Sequence, residues 1–389
     1  MAMTVLVLGG YGTTGRMLSE LLLEWSDVDV VVAGRDLGRA ERAAGQLAVR
    51  YPGRVSARVA DASDAASLDE AFAGVDLVAV AASVLAHADV VIEAALRAGI
   101  DYFDLLLPGA IKHVALERLR PRIETDGRCF ITDGGIHPGL SAPVIRTLAP
   151  AFARLERVEV GALLRVDWPS YRFSVSTIQE FVDELLEYRM EALRDGVWTK
   201  LAWQDGMRTF DFGLPFGRER CAVMAMEELR GLPGYIPSLR DCAFYVAGFN
   251  PVVDNLIMPL GYAAVKAAPG VLGLPYARLL TWALRTFSRP PYGTIWQIEA
   301  EGESAGGPSA AGRRTRAGLR LIHPDGYWLT AATAVACLLQ YLDGSLRVPG
   351  VHLQALAVEP VRLLRDLQRM GVRVESFGLD MGTILGGTP

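Results

Sequence analysis

The stretch TVLVLGGYGTTGRMLSELL, residues 4–22, decides the fold. An apolar run, Thr4 to Leu8, is followed by glycines at 10, 12 and 15, and then by Met17, Leu18, Leu21 and Leu22 at helical spacing. Glycine is common in this chain, with 40 among 389 residues, so the spacing alone decides little. Its position between a strand and a helix decides more. Gly10 permits a tight turn, Gly12 lets a pyrophosphate approach the backbone, and Gly15 lets the helix pack on the strand. The helix N-terminus then offers N–H groups and a partial positive charge to phosphates. Gly10, Tyr11, Gly12, Thr13, Thr14, Gly15 and Arg16 are the expected contacts of a dinucleotide.

Further strand-like runs follow at 29–33, 55–60, 76–81 and 128–132, with helical patterns between them. Strands that alternate with helices predict a doubly wound parallel sheet. After about residue 150 the texture changes. Alternating patterns appear at Val158, Val160, Ala162, Leu164 and Val166 and again at Trp296, Ile298 and Ala300, with Gln297, Glu299 and Glu301 on the other face, which predicts half-buried strands of an antiparallel sheet. The expected fold class is therefore α/β: a Rossmann-type sheet over 1–135 and a second, α+β domain over 136–349. Residues 177–195 and 359–370 read as amphipathic helices, and 302–318, rich in Gly, Ser and Arg, as a hairpin loop or a lid. Gly326 to Leu342 is long enough to span a bilayer, yet Thr330, Thr333 and Gln340 lie inside it, so it reads as a buried helix and no transmembrane segment is expected.

Composition excludes several classes. A net charge of -5 without a basic cluster argues against nucleic acid. Cys129, Cys221, Cys242 and Cys337 show no C-x-x-C spacing and the five histidines are scattered, so no metal site is expected and the cysteines suit a reducing compartment. The first basic residue is Arg16, which does not fit a signal peptide. A cytoplasmic protein acting on a small molecule is the expectation.

The end of the second strand distinguishes the two nicotinamide cofactors. Ala33, Gly34, Arg35 and Asp36 stand there. Gly34 leaves space and Arg35 supplies a forked cation, which suits the 2′-phosphate of NADP(H). Asp36 competes as a ribose acid, although it also precedes a helical run and suits an N-cap. Asp61 is placed for the adenine. Ala82 and Ser83, after the fourth strand, are expected beside the pyrophosphate, with a helix cap as the other role for Ser83.

GGYGTTGR, AGRD at 33–36, AGIDYFDL at 98–105 and DGGIHPGLSA at 133–142 together resemble the saccharopine dehydrogenase family. So does the late block HPDGYWLTAATAVACLLQYLDG with PGVHLQALAVEPVRLLRDLQRMGV. The resemblance implies a nicotinamide-dependent oxidoreductase with a substrate domain that often forms a homodimer contact. It also implies a last segment, 350–389, that returns to the dinucleotide domain. Family members that form saccharopine carry an acid before the Pro-Gly-Leu and an Asp-His pair after it. Here His137 precedes Pro138, and Ser141 and Ala142 follow Leu140.

Because hydride transfer belongs to the cofactor, the protein has to place the acceptor and move a proton. His137, in a loop that the resemblance turns towards the nicotinamide, is the first candidate acid; a helix cap is its other reading. Asp104 is the second catalytic candidate, and Tyr102 beside it reads as packing. Tyr262 and Lys266 form a Y-x-x-x-K far outside the dinucleotide domain, where chance accounts for it. The apolar stretch 256–287 reads as packed helices or a dimer face, with a substrate channel or membrane contact as sharper alternatives. Three functions remain open: reduction of a C=N bond, reduction of C=C or C=O on an apolar acyl chain, free or carrier-bound, and a non-catalytic NADP-binding sensor or scaffold. Lack of the acidic pattern favours the second; Arg165, Asp167 and Arg172 favour a charged substrate.

Overall fold

A computed structural model describes residues 2–171, 188–305, 313–379 and 382 of the chain. Its first strands are β1 (Thr4–Leu8), β2 (Asp29–Gly34), β3 (Val55–Val59), β4 (Leu77–Val80), β5 (Asp101–Asp104) and β6 (Cys129–Thr132). The helices between and after them are α1 (Thr13–Trp25), α2 (Leu37–Ala48), α3 (Ala65–Phe72), α4 (Ala88–Ala98), α5 (Ala110–Thr125) and α6 (Ser141–Leu148). Then come β7 (Phe152–Arg165), β8 (Glu191–Arg194), β9 (Val197–Lys200), β10 (Met207–Asp211), β11 (Arg218–Met224) and β12 (Asp241–Ala247). Two helices, α7 (Met258–Ala267) and α8 (Pro269–Phe287), lead to β13 (Gly293–Ser304) and β14 (Arg314–His323). The chain ends through α9 (Gly326–Leu342), β15 (Gly350–Leu353), α10 (Pro360–Arg369) and β16 (Arg373–Phe377).

It divides into two compact units: Met1–Pro143 with Tyr327–Met370, and Val144–Gly326 with Gly371–Pro389. In the first, seven parallel strands run in the order β15-β6-β5-β4-β1-β2-β3. Strands covered on both faces are apolar throughout, and Val5 to Leu8 and Leu77 to Val80 are all buried. The order reverses at β1, so β2 and β4 flank it and a crevice opens above their carboxyl ends. Helix starts are set locally. Asp36 caps α2 through the Arg39 amide, Asp64 caps α3, and Glu359 caps α10 with Pro360 at its first position.

The ends of the chain part company with the expected boundaries. Helix α9, expected with the substrate domain, belongs to the first unit, where Tyr341 Oη donates to buried Asp101 at 2.7 Å. β16 leaves that unit and pairs antiparallel with β14 in the second. The 350–389 segment is thus shared between the two units, which a hydrophobic pattern does not reveal because both destinations are apolar.

The second unit holds the sheet order β10-β11-β12-β7-β13-β14-β16, with β8 and β9 attached beside β12. It is mixed rather than antiparallel, since β12 runs parallel to β7 after the long connection through β8–β11. Alternation reports which face of a strand is buried and carries no information about strand direction. The sheet curls on itself: Phe210 of β10 covers Gly161 of β7, and Arg208 of β10 reaches Glu299 of β13 at 2.5 Å. Of the expected helix 177–195, residues 177–187 lie outside the described residues, and 191–194 are the strand β8. Residues 306–312 of the glycine-rich loop also lie outside them; its flanks are the paired strands β13 and β14.

Candidate functional site

The turn after β1 is built from bare backbone. Gly9 and Gly10 N–H groups both donate to the Ala33 carbonyl, at 2.8 and 3.1 Å, and Gly12 N–H donates to the Gly9 carbonyl at 2.8 Å. The left-handed conformation that the turn needs sits at Gly9, with φ +87°, and not at Gly10 as the glycine spacing suggested. A methyl group on Gly9 would meet Ala82 at 2.7 Å, and one on Gly15 would drive into the Gly9 carbonyl. Ala82 therefore closes the crevice between β1 and β4. Helix α1 has Gly12 at its N-cap, no side-chain cap and no acid in its first turn. Its leading amides are aimed at the turn, and this cradle fits the pyrophosphate of a dinucleotide.

At the end of β2, Gly34 makes room for a ring rather than a phosphate. A Cβ there would lie 2.5 Å from the Tyr11 ring. The Arg39 guanidinium covers that ring at 4.5 Å, and Asp36 N–H donates to Tyr11 Oη at 3.3 Å. Asp36 Oδ1 accepts the Arg39 amide at 2.9 Å as the cap of α2, which draws this carboxylate away from a ribose. Arg35 is exposed at the same edge. Asp61 is held below the usual carboxylate range first by hydrogen bonds from Ser63, with Arg35 and His87 adding to them. Arg39 was not legible as a site residue, since nothing in the pattern says that α2 begins by folding a cation over Tyr11. Ser83 lies outside the cap positions of the following turn and helix, which fall at Val84 and His87.

The two guanidiniums at this edge carry a test. Arg35→Ala is expected to weaken NADPH by about one to two decades, the loss of roughly 1.5–3 kcal/mol from a charge-assisted phosphate contact, while NADH is little affected. Titration of both cofactors by fluorescence measures it; equal affinities in the unaltered protein would return Asp36 to the ribose.

At the carboxyl ends of β5 and β6 the chain buries three charges together. Lys112 of α5, wholly buried, donates to Asp104 Oδ1 at 3.1 Å, Asp133 Oδ1 at 2.6 Å and the Leu106 carbonyl at 2.8 Å. Asp104 also accepts Thr132 Oγ1 at 2.6 Å and the Leu106 amide at 3.0 Å. Burial pulls the Lys112 pKa down, but the two carboxylates outweigh it and the net shift is upward. Burial likewise opposes ionisation of Asp133, yet His113 and Lys112 hold it below the usual range. His113, half exposed, stands 3.9 Å from the outer oxygen of Asp133. Asp104, read from sequence as a catalytic group, is an internal counter-ion here. Tyr102 is buried and stacked on Phe130 at 5.3 Å. Lys112 was invisible beforehand because a lone lysine in a helical stretch resembles a surface residue.

Asp133 opens the loop that bears His137. The loop turns through Asp133 (φ +58°), Gly135 (φ +100°) and Gly139 (φ +125°), and His137 is half-buried in it. Helix α6 starts at Ser141, four residues after His137. The loop is clamped by Gln354, which is fully buried. Its Nε2 donates to the carbonyls of Gly135 and Gly139 at 3.0 and 3.1 Å, and its Oε1 accepts Gly135 N–H at 3.2 Å.

In the second unit, Arg165 is already committed: it pairs with Glu219 at 2.6 Å and donates to the Phe249 carbonyl at 2.6 Å. Asp167 accepts Ser170 Oγ at 2.6 Å, and Arg172 lies outside the described residues. The charged-substrate reading loses its main cation. Lys266 sits on α7 of this unit, far from the dinucleotide turn in sequence, and the Tyr262 side chain is outside the description. Among the described residues no group of His, Cys, Asp or Glu is arranged to hold a metal ion, and no helix is long and apolar enough to cross a membrane.

Residues 5–127 match the family model of the saccharopine dehydrogenase NADP binding domain. Among solved structures, the L-Glu-forming saccharopine dehydrogenase of Saccharomyces cerevisiae superposes with a TM-score of 0.70 at 16% identity, covering 97% of this chain and 100% of that one. A myo-inositol dehydrogenase from Corynebacterium glutamicum gives a TM-score of 0.45 at 11% identity, covering 98% and 100%. GenD2 from gentamicin A biosynthesis, solved with NAD, gives 0.41 at 14% identity, covering 97% of each chain. No curated protein matches by sequence.

Proposed function

We propose that this chain, an NADP-dependent oxidoreductase similar to the saccharopine dehydrogenases, reduces a C=N bond formed between an amine and a carbonyl compound. What supports this reading is the fold shared with the L-Glu-forming saccharopine dehydrogenase along 97% of the chain, together with the NADP binding domain match over residues 5–127; the C=N bond is taken from the family resemblance. The cofactor, when bound, supplies the hydride. This chain's part is to hold the dinucleotide on Gly9–Gly15, select its 2′-phosphate with Arg35 and Arg39, and deliver a proton. His137 donates that proton to the imine nitrogen. Lys112, Asp104 and Asp133 keep the two loops that frame it in place, and Gln354 fixes its backbone. The departure from the saccharopine pattern at His137 and the neutralised Arg165 separate this substrate from saccharopine itself.

NADPH oxidation by the full-length protein is the test, with amines and carbonyl compounds offered singly and in pairs beside enoyl and keto thioesters. Turnover that requires amine and carbonyl together is expected. Turnover of a thioester without amine would replace this reading by acyl reduction, and no turnover with any pair would leave a cofactor-binding protein.

A second measurement isolates the clamp. Gln354→Ala removes three hydrogen bonds from the His137 loop and is expected to lower kcat by roughly tenfold to a hundredfold, as for a group displaced by about 1 Å, with NADPH affinity unchanged. Gln354→Glu, which places a carboxylate oxygen against the Gly135 and Gly139 carbonyls, is expected to behave alike. Unaltered kcat in both would detach the loop from catalysis.

A further inference from the structure

Between Asp254 and Glu299 the sequence has no acidic residue, yet it carries Lys266, Arg278, Arg285 and Arg289. Most of this stretch folds as α7 and α8. One face of α8 is buried through Tyr276, Ala277, Leu280, Ala283 and Leu284, which join Val253, Ile257 and Val265 in a small core of their own. The opposite face bears Val271, Leu274, Arg278, Leu279, Trp282 and Arg285, spaced by three and four residues so that they form one stripe, and all are exposed. Val271 is 74% exposed and Trp282 54%, and Leu260 of α7 adds another apolar side chain at 63%. A shallow groove of about 440 Å³ runs along this face, with Leu274, Arg278, Trp282 and Arg285 in its walls.

A helix that is apolar on both sides and cationic along its exposed edge needs a cover. A second copy of the chain is a poor one, because a two-fold contact sets the patch against itself and brings Arg278 and Arg285 to face more arginine, with no acidic residue between Asp254 and Glu299 to pair them. Helix α8 is not long and apolar enough to cross a bilayer. An anionic lipid surface satisfies both features: apolar side chains and the Trp282 ring enter the acyl boundary, while the guanidiniums stay at the phosphates. We propose that α7 and α8 dock the protein onto an anionic membrane surface, with α8 lying in the plane of the interface and its Val271–Arg285 stripe turned to the lipid. The stripe shares no residue with the cofactor turn or the His137 loop, and the inference does not depend on which bond is reduced.

Sedimentation of the full-length protein with vesicles tests it. Binding to phosphatidylcholine vesicles containing phosphatidylglycerol is expected, weakened by salt, with little binding to phosphatidylcholine alone. Arg278→Glu should lower the affinity by roughly fivefold or more, the worth of one cation near such a surface, and Val271→Ser with Trp282→Ser should remove it, NADPH affinity remaining that of the parent as evidence of an intact fold. Failure of the unaltered protein to bind anionic vesicles overturns the proposal. So does light scattering that shows a dimer dissociating in Val271→Ser, or binding restricted to an acidic soluble protein; the face would then belong to a protein contact.

Discussion

His137→Ala is expected to lower turnover by about two to four decades while NADPH binds as before, the usual consequence of losing a general acid. The residue stands in a loop whose backbone is held at Gly135 and Gly139 by Gln354, and whose first residue, Asp133, is anchored on Lys112. A side chain on such a frame keeps its place when a substrate arrives. Single-turnover measurement should put the defect in the reduction step rather than in release. His137→Gln, which keeps a hydrogen-bond donor without a transferable proton at neutral pH, should restore binding contacts but not rate. Full activity in His137→Ala, with only a lower melting temperature, would make the histidine structural and assign the proton to solvent.

Lys112→Met is expected to produce the largest loss of stability. The substitution leaves Asp104 and Asp133 buried beside each other without their cation, and breaking a buried ion pair from one side costs about 3–5 kcal/mol. The melting temperature of the first unit should fall by roughly 10 °C. The pH dependence has a definite sign. In the parent, Asp133 is ionised below the usual carboxylate range, so its contribution is present above an ordinary aspartate pKa and is lost as the pH falls through the lowered value. The Lys112 pKa is raised, so its contribution is present through neutral pH and disappears only as the pH climbs through that raised value. In Lys112→Met the acid limb reverses: protonating one carboxylate relieves the repulsion, and the difference from the parent should shrink on acidification. Adding Asp133→Asn should recover part of the loss at neutral pH. A melting temperature unchanged in Lys112→Met would show that the three charges do not support one another.

These two residues differ in how they reach the reader of a sequence. His137 is conspicuous because it interrupts a recognisable loop between glycines and a proline. Lys112 has no neighbour in sequence that signals burial. Its partners stand at the ends of two different strands, Asp104 closing β5 and Asp133 following β6, and only the parallel pairing of β5 with β6 sets them side by side. The same contrast runs through the cofactor turn. The order of strand, glycine turn and helix was plain, and so was the capping role of Asp36. That Gly9 takes the left-handed conformation, and that Tyr11 with Arg39 fills the space over Gly34, depends on contacts between β1, β2 and α2.

By itself the sequence determined the parallel dinucleotide-binding sheet with its glycine turn, the buried character of α9 and the alternating strands of the second unit. Each of these is written in short-range chemistry: period, caps and glycine spacing. Tertiary structure alone decided the direction of β12 beside β7, the division of the last residues between two sheets, the commitment of Arg165 to Glu219, the Lys112 cluster and the Gln354 clamp. The physical reason is common to all five. Each rests on a hydrogen bond or ion pair between residues far apart in the chain, and the side chain that makes it has the same composition and local pattern as one that makes none.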